Sequence, residues 1–140
     1  MVLQQSRTNE QGRRLPTVPR WWTLERGGSD IEYYVWQAML RTKRIEFIDF
    51  VFQNRLFGGK VTGGAVVDFL IFSPRVGINI QSPYYHGTTA AQRAFDAMQR
   101  VNIERSGLRL SYISEADALN RPDGAVRDAI VGVNQRGPLG

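Results

Sequence analysis

The chain has no cysteine, a single histidine (His86), and only two lysines (Lys43 and Lys60) among eighteen basic residues. Without cysteine there is no disulfide framework, no thiolate zinc site and no cysteine nucleophile. One histidine cannot build a multi-histidine metal cage within one chain. No apolar run reaches the length that spans a bilayer, and the opening residues Met1-Val2-Leu3-Gln4-Gln5-Ser6-Arg7 hold no apolar segment of signal-peptide length. Internal repeats and low-complexity blocks are also lacking. The expectation is an intracellular (cytoplasmic) protein, or one carried within a phage or other assembly, with no membrane contact.

What is present is a chain of 140 residues, 42% apolar, which suits one domain with a core of its own. The formal charge is +5 and the isoelectric point near 10.1. Nearly all of the positive charge is arginine, whose planar fork suits bidentate phosphate contacts; a GC-rich genome gives the same bias without any ligand.

Residues 1–28 are polar and basic, punctuated by Pro16, Pro19 and Gly27-Gly28, and read as an extended arm. Trp21-Trp22 interrupts it, and paired indoles in a polar segment imply docking, on the chain's own core or on a protein partner. Ser29-Asp30-Ile31-Glu32 has the form of a capping box opening a helix that runs to about Arg41. Strands are expected over Ile45–Gln53, Ala65–Phe72 and Val76–Gln81, the last with Ile78 and Ile80 on one face and Asn79 and Gln81 on the other. A helix over Thr88–Ser106 carries an apolar stripe of Ala91, Phe95, Met98 and Val101. A fourth strand over Leu108–Ile113, a helical turn over Glu115–Leu119 and a helix over Asp123–Val131 follow. Residues 29–133 thus form one domain ahead of a short tail, 134–140. The helix joining the last two strands implies a crossover, hence an α/β fold with a central mixed four-stranded sheet flanked by helices.

Within this pattern Asp68 stands out, a carboxylate inside the apolar run Ala65-Val66-Val67-Asp68-Phe69-Leu70-Ile71-Phe72. An unpaired buried carboxylate costs several kcal/mol, so Asp68 calls for water, a cation or a donor beside it. Asn79 and Gln81 place two amides on one face of the next strand, which also fits a solvent-facing polar row. Glu32 completes the capping box whatever else it does. Lys60 lies in a glycine-rich loop, but no Gly-Lys-Ser/Thr follows at P-loop spacing, which excludes a nucleotide triphosphate site of that kind.

Over Ser29 to Ile113 the order and spacing resemble the PD-(D/E)XK nuclease superfamily, nearest to its very-short-patch-repair-like and Holliday-junction-resolvase-like branches. The resemblance rests on the helical Glu32, the Gly-Gly-x-Val-Val-Asp-Phe pattern of residues 63–69, the i, i+2 polar pair on the following strand, His86 shortly after, and Ile113 followed by Glu115. It implies a restriction-endonuclease-like αβββαβ core and a metal-dependent DNA endonuclease using Mg2+ or Mn2+, structure-selective in the manner of resolvases or repair enzymes. Asp68 and Glu32 are then metal-holding carboxylates, Glu32 directly or through a water, with the Ile80 carbonyl and the Asn79 or Gln81 side-chain oxygen completing the shell, Gln81 steadying the attacking water, and His86 orienting water or touching phosphate. A homodimer is a further expectation of the resemblance. Asn79 and Gln81 stand where the family carries Glu-x-Lys. One negative and one positive charge are lost together, and an amide oxygen is a weaker magnesium ligand than a carboxylate.

Arg55, Lys60, Arg75 and Arg93 are candidate contacts to a DNA backbone, and Tyr84 and Tyr85 either stack on a base or cover the sheet edge. The alternative to an enzyme is a catalytically inactive, nuclease-derived module, phage-associated or otherwise, that binds nucleic acid or serves an assembly through its N-terminal arm.

Overall fold

The computed structural model describes residues 7–52, 67–81, 90–105 and 107–132, with the side chains of residues 92, 93, 95, 96, 99, 100, 102 and 103 left outside. A four-stranded mixed sheet is flanked by helices, the α/β architecture expected. In chain order the elements are α1 (Arg20–Glu25), α2 (Asp30–Arg41), β1 (Phe50–Phe52), β2 (Phe69–Ile71), β3 (Val76–Gln81), α3 (Ala90–Arg105), β4 (Arg109–Ser114), α4 (Glu115–Asn120) and α5 (Pro122–Val131). The strands lie in the order β1-β2-β3-β4; the first two pairings are antiparallel and β3–β4 is parallel, with Val76 opposite Arg109 and Gln81 opposite Ser114. A parallel pair needs a long crossover, which α3 supplies.

The capping box forms as expected: Ser29 Oγ accepts from the Glu32 N–H at 3.1 Å, and Glu32 Oε1 accepts from the Ser29 N–H at 2.8 Å. From that start α2 lays Ile31, Tyr34, Val35 and Ala38 on the sheet face made by Phe50, Phe52, Phe69, Ile71, Val76 and Ile78. Helix α5 adds Ala125, Val126, Ala129 and Ile130 to the same core. Its C-terminal end is held from β4, where Ser111 Oγ donates to the Ala129 carbonyl at 2.6 Å and Arg109 donates to the carbonyls of Ala129 and Ile130. The opposite sheet face is smaller, with Leu70, Leu108 and Leu110 around Gly77, where a Cβ would sit 3.0 Å from Val67 and 3.2 Å from Leu110.

Three expectations need correction. Strand Ile45–Gln53 narrows, among the described residues, to Phe50–Phe52. Residues 45–49 curl instead into a tight turn in which Asp49 accepts the Ile45 N–H at 2.7 Å, Ile45 accepts the Asp49 N–H at 2.7 Å, and Phe47 takes φ 73°. A short acidic side chain offers the backbone a local partner that competes with a ladder. The apolar stripe of α3 leaves Met98 and Val101 exposed: periodicity identifies residues that share a helix face, not the surface that face meets.

The N-terminal segment is not extended throughout, since Arg20–Glu25 is helical and Trp22 is fully buried. Trp22 stacks on Phe52 with ring centroids 5.0 Å apart and donates its indole N–H to the Ser29 carbonyl at 2.8 Å. Arg26 lies over the Trp22 ring at 5.4 Å and bonds Glu46, which also accepts the Trp36 indole N–H at 3.0 Å. Tyr34 donates to the Pro16 carbonyl at 3.1 Å. Trp22 thus docks on the chain's own core, while Trp21 meets Tyr33 and Trp36 edge-on and stays 41% exposed.

Truncating Trp22 removes a fully buried indole, so Trp22→Ala is expected to cost about 3–5 kcal/mol in urea denaturation. Gly28→Ala, whose new Cβ would lie 2.3 Å from the Trp22 indole nitrogen, is expected to lower the midpoint as well. An unchanged midpoint in both variants would show that the segment adds nothing to the fold.

Candidate active site

A cleft of about 370 Å³ opens where the N-terminal ends of α2 and α4 meet the ends of the central strands. Its walls include Glu32, Asp68, Ile80 and Glu115, with Arg7 and Asp30 at one side. It therefore lies at the carboxyl ends of the parallel pair β3 and β4, the usual place for ligands in open α/β sheets.

Asp68 precedes β2 rather than lying inside it, and its position follows from how the β2–β3 ladder ends. The Asp68 N–H donates to the Ile78 carbonyl at 3.1 Å and to Asn79 Oδ1 at 2.9 Å. One residue further along β3, the Ile80 N–H donates to Asp68 Oδ2 at 2.8 Å, so a side-chain oxygen stands where a ladder carbonyl would. The two strands part there, and β3 continues beside β4 alone.

Burial pushes the Asp68 carboxyl up from its ordinary 3.8 to about 6; the Ile80 N–H acts against this rise, and the nearby negative charge of Glu32 adds to it. The glutamate is thus close enough to be felt electrostatically. Each carboxylate spends one oxygen on a backbone N–H, Asp68 Oδ2 on Ile80 and Glu32 Oε1 on Ser29, and keeps the other for the cleft. Asp30 is neutralised by Arg7, whose Nε lies 2.5 Å from Asp30 Oδ2. The ends of α2 and α4 add the favourable potential that helix N-termini offer to negative charge.

A hard divalent cation fits this donor set in part. A cation beside Asp68 would relieve the cost that burial and the charge of Glu32 place on its ionisation. Among the described residues no three His, Cys, Asp or Glu side chains group closely enough to hold a metal alone, so water and backbone oxygen would supply the remaining ligands, which magnesium accepts readily.

The cleft thus gathers Glu32, Asp68 and Ile80 from the residues singled out in the sequence. Asn79 and Gln81 are not in its walls. Asn79 uses Oδ1 to hold the Asp68 backbone, a supporting position rather than a ligand position. Gln81, at the end of β3, has a buried Nε2 with no hydrogen-bond partner among the described residues. Arg75 lies in the β2–β3 turn, at the other end of these strands from Asp68, and does not join the cleft. Arg55, Lys60, His86, Tyr84, Tyr85 and the Arg93 side chain lie outside the described residues. Glu115 was legible only as part of the Ile113–Glu115 pattern, and its place at the end of the strand parallel to β3 is what brings it to the cleft. Arg7 carries no local signal, since its role depends on a contact with Asp30 far along the chain.

Comparison of the chain with protein-family models, with curated proteins and with solved structures finds no match.

A folded-state value above the unfolded one means that the native protein holds the Asp68 proton more tightly. Stability therefore falls as pH rises from about 4 to about 6, and a deficit of about 3 kcal/mol is complete above that window. Asp68→Asn, which can still accept the Ile80 N–H, is expected to be more stable than the parent above pH 6 and equal to it below pH 4 in urea titrations. A constant difference across that range would contradict the placement of the charge.

Proposed function

We propose that this chain is a metal-dependent phosphodiester hydrolase acting on DNA, with Asp68 and Glu32 as the carboxylates that hold Mg2+ or Mn2+. The observation that carries this reading is the meeting of a carboxylate from the start of β2, a carboxylate from the N-terminus of α2 and the Ile80 backbone in one cleft, with one carboxyl held at about 6 by burial and its neighbour's charge. Sites that shift a carboxyl in this way cluster where chemistry occurs. The resemblance in residue order supplies the choice of reaction.

When bound, such a cation activates water and absorbs charge on the phosphate. The chain's own residues do the rest. Ile80 N–H fixes the Asp68 carboxylate so that one oxygen stays aimed at the cleft, and Asn79 fixes the backbone beneath it. Glu32 is fixed in turn by the capping box. Glu115 lines the same cleft from the N-terminus of α4 and offers a further carboxyl oxygen there. Among the described residues the Gln81 amide nitrogen is a buried donor without a partner, at a cost of about 1–3 kcal/mol, and a phosphate oxygen beside the end of β3 would satisfy it.

A second reading has its own support. The acidic ligand expected opposite Asp68 on β3 is an amide engaged with backbone, which favours a domain that retains the nuclease frame and binds nucleic acid without cutting it.

The test is incubation of the full chain with branched, nicked, mismatched and linear DNA in Mg2+ or Mn2+. Cleavage is expected, abolished by Asp68→Ala and slowed roughly 10–100-fold by Glu32→Gln, which keeps an acceptor for the Ser29 N–H while removing the charge. Binding without cleavage in either metal would leave the second reading standing, and cleavage untouched by Asp68→Ala would overturn the site.

A further inference from the structure

At the far end of α2, one helix length or roughly 18 Å from the cleft, a second cavity of about 400 Å³ opens between the C-terminal end of α2 and one face of α5. Arg41, Arg44 and Arg127 line it, with Asp123 as its one carboxylate and Ile130 and Val131 as apolar wall. Arg41 Nε lies 2.7 Å from Asp123 Oδ1, so this pair neutralises itself. Arg44 and Arg127 have no ion-pair partner among the described residues.

Arginines near a helix C-terminus are commonly spent on its terminal carbonyls, but most of the carbonyls that end α2 and α5 are served by other donors. At the end of α2, the Thr42 N–H and Oγ1–H and the Lys43 N–H take the carbonyls of Ala38, Met39 and Leu40. At the end of α5, the Gly132 N–H takes Asp128, while Ser111 and Arg109 take Ala129 and Ile130. Among the described residues the donors of Arg44 and Arg127 therefore have no partner, in a concave site with an apolar wall.

We infer that this cavity is a phosphate-binding site and that its occupant is a backbone phosphodiester of nucleic acid. Forked guanidinium donors match phosphate oxygens, and the Ile130–Val131 wall offers apolar surface to the sugar or base that accompanies them. A lipid headgroup presents the same anion, but Arg44 is recessed and partly buried within a cavity. That recess suits a thin polymer better than a planar surface. The inference deepens the reading of the cleft by giving the DNA a second point of attachment, and it rests on that reading for the identity of the polymer.

The experiment uses full-length Asp68→Asn protein, so that cleavage does not intervene. Fluorescence anisotropy is read with a labelled DNA duplex from 50 to 200 mM salt. Arg44→Ala with Arg127→Ala is expected to weaken binding roughly 10-fold and to lower the slope of log affinity against log salt by roughly two. A control pair, Arg13→Ala with Arg14→Ala, removes the same charge elsewhere and is expected to do less, and equal melting temperatures verify folding. Affinity and slope equal to the control pair's would overturn the inference. So would Arg44- and Arg127-dependent sedimentation with phosphatidylcholine vesicles containing phosphatidylserine in the absence of any DNA effect, or Arg44- and Arg127-dependent binding of inorganic phosphate at low millimolar concentration with DNA affinity unchanged. Failure of cleavage in the parent protein, with the Arg44 and Arg127 effect intact, would remove the proposed chemistry of the cleft and leave this site in place.

Discussion

The arrangement depends on one exchange of hydrogen bonds where β2 and β3 part. Asp68 gives its N–H to Ile78 and Asn79 and takes the N–H of Ile80 on its carboxylate. Because a side chain fills the place of a backbone carbonyl, the antiparallel ladder stops without leaving the Ile80 donor bare, an omission that would cost about 1–3 kcal/mol. The same bond keeps a charge at the edge of an apolar core. One carboxylate thus ends a strand, opens a cleft and supplies that cleft's central acid.

Helix α2 bears on both ends of the molecule. Its N-terminus holds Glu32 by the capping box and its apolar face covers the sheet, while its C-terminus forms part of the arginine-lined cavity. A rigid rod between an acidic and a basic cavity fixes their separation, so neither can shift without disturbing the core that Val35, Ala38 and Met39 share. Charge sign is thereby segregated along one helix: carboxylates where the helix begins, guanidinium groups where it ends, each as the macrodipole prefers.

Much of this was legible in the residues. The Ser29–Glu32 box, the run Val76–Gln81 and the crossover helix each carry a local signal of their own, and all three form. Asp68 was legible as an acid that an apolar strand would not tolerate unsupported. What the sequence did not reveal was long-range. Asn79 has the composition of a ligand, and only the register that sets it opposite Asp68 makes it a brace. The turn at Ile45–Asp49 follows from one local carboxylate overriding a β-branched run. Arg7 and Glu115 reach the cleft through tertiary contacts with no periodicity to announce them.

The docking of the N-terminal segment bears on how the chain is made. The α2 face leaves the ribosome well before β3, β4 and α5, with which it shares one core, and even Glu10 is anchored to Asn120 by a 2.8 Å bond. Until synthesis passes α5, part of the greasy side of α2 remains wetted, so nascent chains of this protein expose apolar surface of the kind that factors acting during translation shelter.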